Sequence, residues 1–390
     1  MRRRTIRRRR AALLIVVIAA AAAIGATATW PGSHSQASSA RARDATPLQP
    51  AAPTNQAKAA CVIDRATGTI LYAKSANAHL PMGSTTKIMT ALLVLEHVSN
   101  LDVYATVPAE AVGRRGATIG LAVGERITIR NLLWGSLIRS ATDCSVTLAH
   151  YVAGNEKAFA VLMNKKAAAL GLTNTHYVNA SGITANGHYT SARDLAVLSR
   201  VAMQNARFRS FVKEWKVTIR WLPSHTLLIS SHNWLVRYYS WANGIKTGST
   251  DVAGACMSAS GTYHLRPIII TTLHEPTRDQ ERVDVLKLFA WADALYAKRT
   301  IVTAGHVVTT RAVSGSNDQV SLVAARTLTA IARRAAPVTV KISAPVPLPG
   351  PVSDGQTAGT ATYYADGQKL GSVSLLVKIQ AVSPSPSASP

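Results

Sequence analysis

The hydrophobic pattern opens with an unbroken block. Residues 11–28 are small or apolar throughout, and the ten residues ahead of them include seven arginines. Ala26-Thr27-Ala28 adds a small-residue cleavage signature. Residues 1–30 therefore read as a signal peptide or N-terminal membrane anchor. Either way, the rest of the chain is expected outside the cytoplasm, with any membrane contact made through the N-terminus. Residues 31–59 are rich in Ser, Ala, Pro and Gln without periodicity, which predicts a disordered linker.

From residue 60 the pattern turns periodic. Cys61-Val62-Ile63-Asp64 and Thr69-Ile70-Leu71-Tyr72 flank Ala66-Thr67-Gly68, which predicts a hairpin. Residues 88–95 form an apolar run behind Pro81 and Gly83, which predicts a buried helix. Residues 128–138, 146–152, 159–164, 191–204 and 283–298 predict further helices, with Ser191 as a cap. Residues 174–188 read as loop and 227–231 as strand. Three short runs, 245–248, 254–259 and 267–273, are separated by turn residues and predict a sheet meander. Strands at both ends with helices between them predict an α+β fold over residues 60–299, an antiparallel sheet covered by helices.

Beyond residue 300 the runs 301–303, 305–310, 319–323, 337–342 and 371–377 alternate with turns, and Asp366-Gly367 is a hairpin signal. Residues 300–382 therefore predict a small all-β sandwich domain, followed by a Ser/Pro tail over 383–390. Pro347, Pro349 and Pro351 make residues 346–351 a rigid loop.

Charge and cysteine content narrow the classes. The 390-residue chain carries a formal net charge of +24. Part of that belongs to the N-terminal arginines, and the rest favours anionic surfaces. No nucleic-acid motif is present, so nucleic acid is not an expected partner. Three cysteines, Cys61, Cys144 and Cys256, are too few for a disulfide framework. Cys61 and Cys256 sit in strand-like runs and are expected to be buried, whereas Cys144 is expected to line the site. His176 and His188 match no metal-ligand spacing, so neither a metal nor a cofactor is expected.

The chemistry centres on Ser84-Thr85-Thr86-Lys87. Residues three apart share a helix face, so Lys87 can reach back to Ser84. A serine needs a base to act as a nucleophile, and a desolvated lysine can be that base. Two later stretches add to the pattern: Ser140-Ala141-Thr142 and Lys246-Thr247-Gly248-Ser249. Ser-x-x-Lys, a Ser-centred triplet and Lys-Thr-Gly, in that order, mark the penicillin-recognising serine enzymes. The chain resembles that superfamily. More narrowly, it is similar to the low-molecular-mass D-alanyl-D-alanine carboxypeptidases, from about residue 60 to 382. Asp64-Arg65-Ala66-Thr67-Gly68, Gly171-Leu172-Thr173-Asn174, Ser181-Gly182 and Tyr189-Thr190-Ser191 extend the likeness.

The resemblance implies a β-lactamase/transpeptidase-like fold. Ser84 is implied as the nucleophile, Lys87 as its base and Ser140 as a proton relay. Lys246 and Thr247 would hold the substrate's carboxylate, with Gly248 allowing close approach. The N–H groups of Ser84 and Ser249 would form an oxyanion hole. Peptidoglycan stem peptides are the implied substrate, and β-lactam antibiotics the implied covalent inhibitors. One position departs from the pattern: Thr142 stands where the family usually has asparagine, with one hydroxyl on a shorter, stiffer stem. Residues 173–193 contain no glutamate of the kind that class A β-lactamases use, which argues against that activity. An endopeptidase acting on cross-links, or an inactive peptidoglycan-binding homologue, stays open at this point.

Overall fold

The computed structural model describes residues 50–316 and 319–379. The expected export segment, most of the linker and the tail lie outside the described residues. The chain is held in place earlier than residue 60. Gln56 N donates to Asp284 Oδ2 at 2.7 Å, Asn55 Nδ2 donates to the Tyr72 hydroxyl at 2.8 Å, and Trp291 Nε1 donates to Pro50 O. The expected linker therefore does not run on to residue 59. Its last stretch is tied down by specific polar contacts that its composition does not reveal.

The hairpin forms as expected, from β1 (Ala59–Asp64) and β2 (Ile70–Lys74). Asp64 Oδ1 accepts from the N–H groups of Ala66 and Thr67, which closes the turn. A single 3-10 turn, Gly83–Thr86, leads into α1 (Lys87–His97). The short strands β3 (Tyr104–Thr106) and β4 (Arg126–Thr128) pair before α2 (Ile129–Trp134), which Thr128 caps. A π turn, Gly135–Arg139, extends α2 to Ser140. Then follow α3 (Thr142–Ala153), α4 (Glu156–Ala169), α5 (Ala192–Ala202) and α6 (Ala206–Val212). Ser191 caps α5 as expected, its Oγ accepting from Asp194 N. The pair β5 (Lys216–Trp221) and β6 (His225–Ser230) precedes α7 (Trp234–Tyr238). The meander is β7 (Ala242–Thr250), β8 (Gly254–Thr262) and β9 (Pro267–Glu275), closed by α8 (Arg278–Ala294).

The five strands of the main sheet lie in the order β2-β1-β9-β8-β7, all antiparallel. Every residue of β1 is buried, because the sheet is covered on both faces. Alternate residues feed two cores, as the two-residue period of a strand requires. Cys61, Ile63, Cys256 and Ile269 pack with α1, α3 and α5, while Val62, Met257, Ala259 and Ile270 pack with α7 and α8. The α+β expectation matches this architecture.

The last helix differs from its expected span of 283–298. Thr277 Oγ1 accepts from Gln280 N, so α8 starts at Arg278. It stops at Ala294 because the next residues alternate between buried and exposed and become β10 (Tyr296–Val302). The second domain continues with β11 (Val307–Ala312), β12 (Gln319–Ala324), β13 (Leu328–Arg333), β14 (Thr339–Ser343), β15 (Thr357–Ala365) and β16 (Gln368–Lys378). A five-stranded sheet, β11-β12-β16-β15-β14, lies with the β10-β13 pair in an all-β unit. Asp366 and Gly367 both have positive φ and join β15 to β16, the hairpin the sequence signals. Both β13 and β15 escape sequence reading, because alanine, glycine and threonine give them little hydrophobic alternation.

The two domains are clamped at Asp64. Its Oδ2 accepts from Arg266 Nε and Nη2 and from the Tyr296 hydroxyl, and Arg266 Nη2 also reaches Gln368 Oε1 in β16. No described helix is long and apolar enough to cross a membrane.

Candidate active site

The turn before α1 determines where Ser84 points. Gly83 has φ +52, and Thr85 Oγ1 and Thr86 Oγ1 bond back to Met82 O and Gly83 O. Ser84 thus sits in the 3-10 turn rather than in the helix, half-buried, while Lys87 begins α1 and is 1% exposed. Lys87 Nζ donates to Ser84 Oγ at 3.0 Å and to Ser181 O at 2.6 Å. Burial lowers the Lys87 pKa to about 7, against the opposing pull of Cys144, Asp143 and Glu156.

The second segment arrives on the π turn. Ser140 ends it with φ +64, a left-handed conformation uncommon for a residue with a side chain. Its Oγ accepts from Lys246 Nζ at 3.0 Å; the lysine it pairs with is Lys246, not Lys87. Thr142, 2% exposed, opens α3 beside it and borders the same cavity.

The third segment is β7, the edge strand of the sheet. Lys246 is buried and also donates to Thr247 O at 2.8 Å. Burial lowers its pKa well below the usual value, and Lys87 and Arg278 add to this by repulsion. Thr247 and Ser249 line the cavity. A Cβ on Gly248 would lie 2.6 Å from Met82 O and 3.0 Å from Ser84 N, so β7 is pressed against the turn that carries Ser84.

Together these segments enclose a cavity of about 280 Å³ with Ser84, Ser140, Thr142, Thr247, Ser249 and Arg278 in its wall. Sequence reasoning missed several supports. Asp143 accepts from the N–H groups of Ile119, Gly120, Leu121 and Cys144, which docks the loop carrying Gly116 and Ala117 over the cavity. Gly182 packs so tightly on Gly83 that any Cβ would overlap its carbonyl. His232 lies at the rim, its pKa lowered to about 4 by burial and then by Lys246, Arg139, Arg278 and Lys87. That concentration of cations suits an anionic group. Arg278 borders the cavity, while Arg282 pairs with Asp279.

One expectation changes. Cys144 does not line the cavity; it is fully buried, packed against Gly135, and burial raises its pKa well above the usual thiol value. His188 is structural: its Nε2 meets Thr86 Oγ1 at 2.8 Å, and its Nδ1 accepts from Val178 N at 3.0 Å. Among the described residues no cluster could hold a metal ion.

The D-alanyl-D-alanine carboxypeptidase family model matches residues 46–277. The chain belongs to that family. It is a hydrolase of the family, and residues 296–382 match the penicillin-binding protein 5 C-terminal domain. The D-alanyl-D-alanine carboxypeptidase DacF of Bacillus subtilis is 28% identical over 81% of this chain and 83% of its own. A D-alanyl-D-alanine endopeptidase of Pseudomonas aeruginosa is 30% identical over 60% of this chain and 76% of its own. The crystal structure of the Streptomyces K15 DD-transpeptidase aligns with TM-score 0.60 and 32% identity, covering 63% of this chain and all of that one.

Proposed function

We propose that this chain is a serine-type D-Ala-D-Ala carboxypeptidase that trims peptidoglycan stem peptides outside the cytoplasm. The observation that carries this reading is the 3.0 Å contact between Ser84 Oγ and a buried Lys87 whose pKa lies near neutrality. Neutral Lys87 takes the Ser84 proton as Oγ attacks the carbonyl of the penultimate D-alanine. The oxyanion is held by the N–H groups of Ser84 and Ser249. As the C–N bond breaks, Ser140, held by Lys246, relays the proton taken up by Lys87 to the departing D-alanine nitrogen, which leaves Lys87 neutral again. Water, deprotonated by Lys87, then hydrolyses the Ser84 ester. Lys246, Thr247 and Arg278 receive the terminal carboxylate, and the free edge of β7 pairs with the substrate backbone. Gly248 lets that edge lie against the Ser84 turn, and Thr142 borders the acyl side. The same site would accept β-lactams as acylating inhibitors.

The test is to incubate the purified protein with a fluorescent penicillin and with a peptide ending in D-Ala-D-Ala. A stable adduct lost in Ser84→Ala, together with release of free D-alanine, is expected. Neither adduct nor D-alanine would assign the chain as a non-catalytic wall-binding protein. Faster cleavage of a cross-linked peptide dimer than of the monomer would assign it as an endopeptidase.

A further inference from the structure

Arg278 reaches the cavity from an unfavourable place. It is the first residue of α8, where the helix dipole disfavours a cation. Three contacts offset this and fix the guanidinium. Nη2 donates to Gly248 O on β7, Nη1 donates to Cys256 O on β8 at 3.1 Å, and Nη1 also meets Glu281 Oε2 at 2.6 Å. The ion pair is lopsided: the Glu281 side chain is 0% exposed, whereas that of Arg278 is 35% exposed and borders the cavity.

Glu281 is not alone below the site. Glu275 at the end of β9 is fully buried, and neither of its carboxylate oxygens has a hydrogen-bond partner among the described residues. Asp284 has its own donors, Gln56 N and Gln280 Nε2. Burial, then Asp284 and Glu281, raise the Glu275 pKa to about 8, so Glu275 carries a proton at neutral pH. Of the three carboxyl groups, only Glu281 touches an arginine. A buried carboxylate retained purely for packing would serve less well than an apolar side chain, because its desolvation is costly. The contact aims Arg278 along β7, next to Lys246 and Thr247.

We propose that Glu281 is a positioning residue for recognition of the substrate's terminal carboxylate, acting by locking the Arg278 guanidinium against the Gly248 carbonyl. The inference rests on the carboxypeptidase reading above. It extends the recognition machinery from the cavity wall to a residue with no access to solvent.

The experiment compares wild type, Glu281→Gln, Arg278→Gln and the double variant. Each is assayed on a D-Ala-D-Ala peptide with a free C-terminal carboxylate and on the same peptide amidated at that end. Burial raises the Glu281 pKa to about 7 against the pull of Arg278, so the contact is only partly charge-assisted at neutral pH, and Glu281→Gln should raise KM for the free acid about tenfold. kcat should stay within a few-fold, and kcat/KM for the amide should not change. The double variant should lose no more than Arg278→Gln alone, since Glu281 acts through that arginine. Equal losses on acid and amide, or additive losses in the double variant, would overturn the proposal by marking Glu281 as merely structural. An unchanged KM would overturn it too. If Glu281→Gln does not fold, Glu281→Asp replaces it and should give an intermediate KM; a wild-type KM would count against the proposal. Failure of the carboxypeptidase reading is visible separately, as wild type releasing no D-alanine. The cycle is then read from the concentration dependence of acylation by a penicillin, which also carries a carboxylate.

Discussion

Ser140 Oγ and Lys246 Nζ lie 3.0 Å apart although 106 positions separate them in the chain. The contact joins the end of a π turn to the middle of an edge strand, so it reports the closure of the whole site. It also pairs Ser140 with a lysine other than Lys87, the one beside Ser84. Ser140→Ala should therefore cut the penicillin acylation rate about a hundred- to a thousandfold through loss of proton transfer. The fold should persist, because Lys246 keeps Thr247 O as an acceptor. Stopped-flow acylation beside a thermal melt checks both halves.

Lys87 must be neutral to accept the Ser84 proton, and its pKa is lowered to about 7. The acylation rate should rise with pH through that region and level off above it. Below it, each pH unit should cost about a factor of ten. A pH-rate profile of fluorescent penicillin labelling from pH 5.5 to 9 tests this. A flat profile would remove Lys87 as the base.

Gly248 has no room for a side chain between β7 and the Ser84 turn. Gly248→Ala places a methyl 2.6 Å from Met82 O and 2.9 Å from Thr85 N, so the strand must shift. A displacement of that order at a reacting centre costs about a hundredfold in rate. The prediction is a loss of D-alanine release and of penicillin labelling together. Labelling at the wild-type rate would show that the strand moves without consequence.

Thr142 should be improvable. Its Oγ1 lies close to Gly116, where a Cβ would sit 3.1 Å away, and an asparagine there adds a longer stem with two donors and one acceptor. One further neutral hydrogen bond is worth about 0.5–1.5 kcal/mol, so Thr142→Asn should accelerate acylation by up to about tenfold. An unchanged or slower rate would mean that the wall at Gly116 already supplies what asparagine would add.

Glu275 sets a pH dependence of stability. Its carboxyl pKa is raised to about 8, so the folded state holds a proton that the unfolded chain releases from about pH 4.5 upward. Stability is thus lost as pH rises from 4.5 toward 8, at up to about 1.4 kcal/mol per unit for this one proton. Glu275→Gln removes that slope. Thermal melts should show the variant gaining on wild type between pH 5 and 8, with little difference near pH 4.

The sequence makes the reactive groups readable but not their supports. Ser84, Lys87, Ser140, Lys246, Thr247 and Gly248 stand out because reactive side chains occur at a fixed spacing in a fixed order. The sheet is readable because its strands carry uninterrupted apolar runs. Asp143 is visible as a residue, yet its work lies in four N–H groups, three of them supplied by a loop more than twenty positions away. Gly182 and Glu281 matter through close packing and a buried contact, neither of which leaves a local signature. In the second domain, β13 and β15 hide because their residues are too small to alternate visibly.

The Asp64 clamp ties the two domains together through one carboxylate. A chain ending at Ala294 would keep Arg266 but lose the Tyr296 hydroxyl and the Gln368 amide that share this carboxylate and guanidinium. Asp64 also closes the first hairpin of the catalytic sheet, so loosening at the far domain would be felt in β1. Unfolding of the β domain is therefore expected to fray the hairpin at the sheet edge, which would make the distal domain a thermal brace for its neighbour.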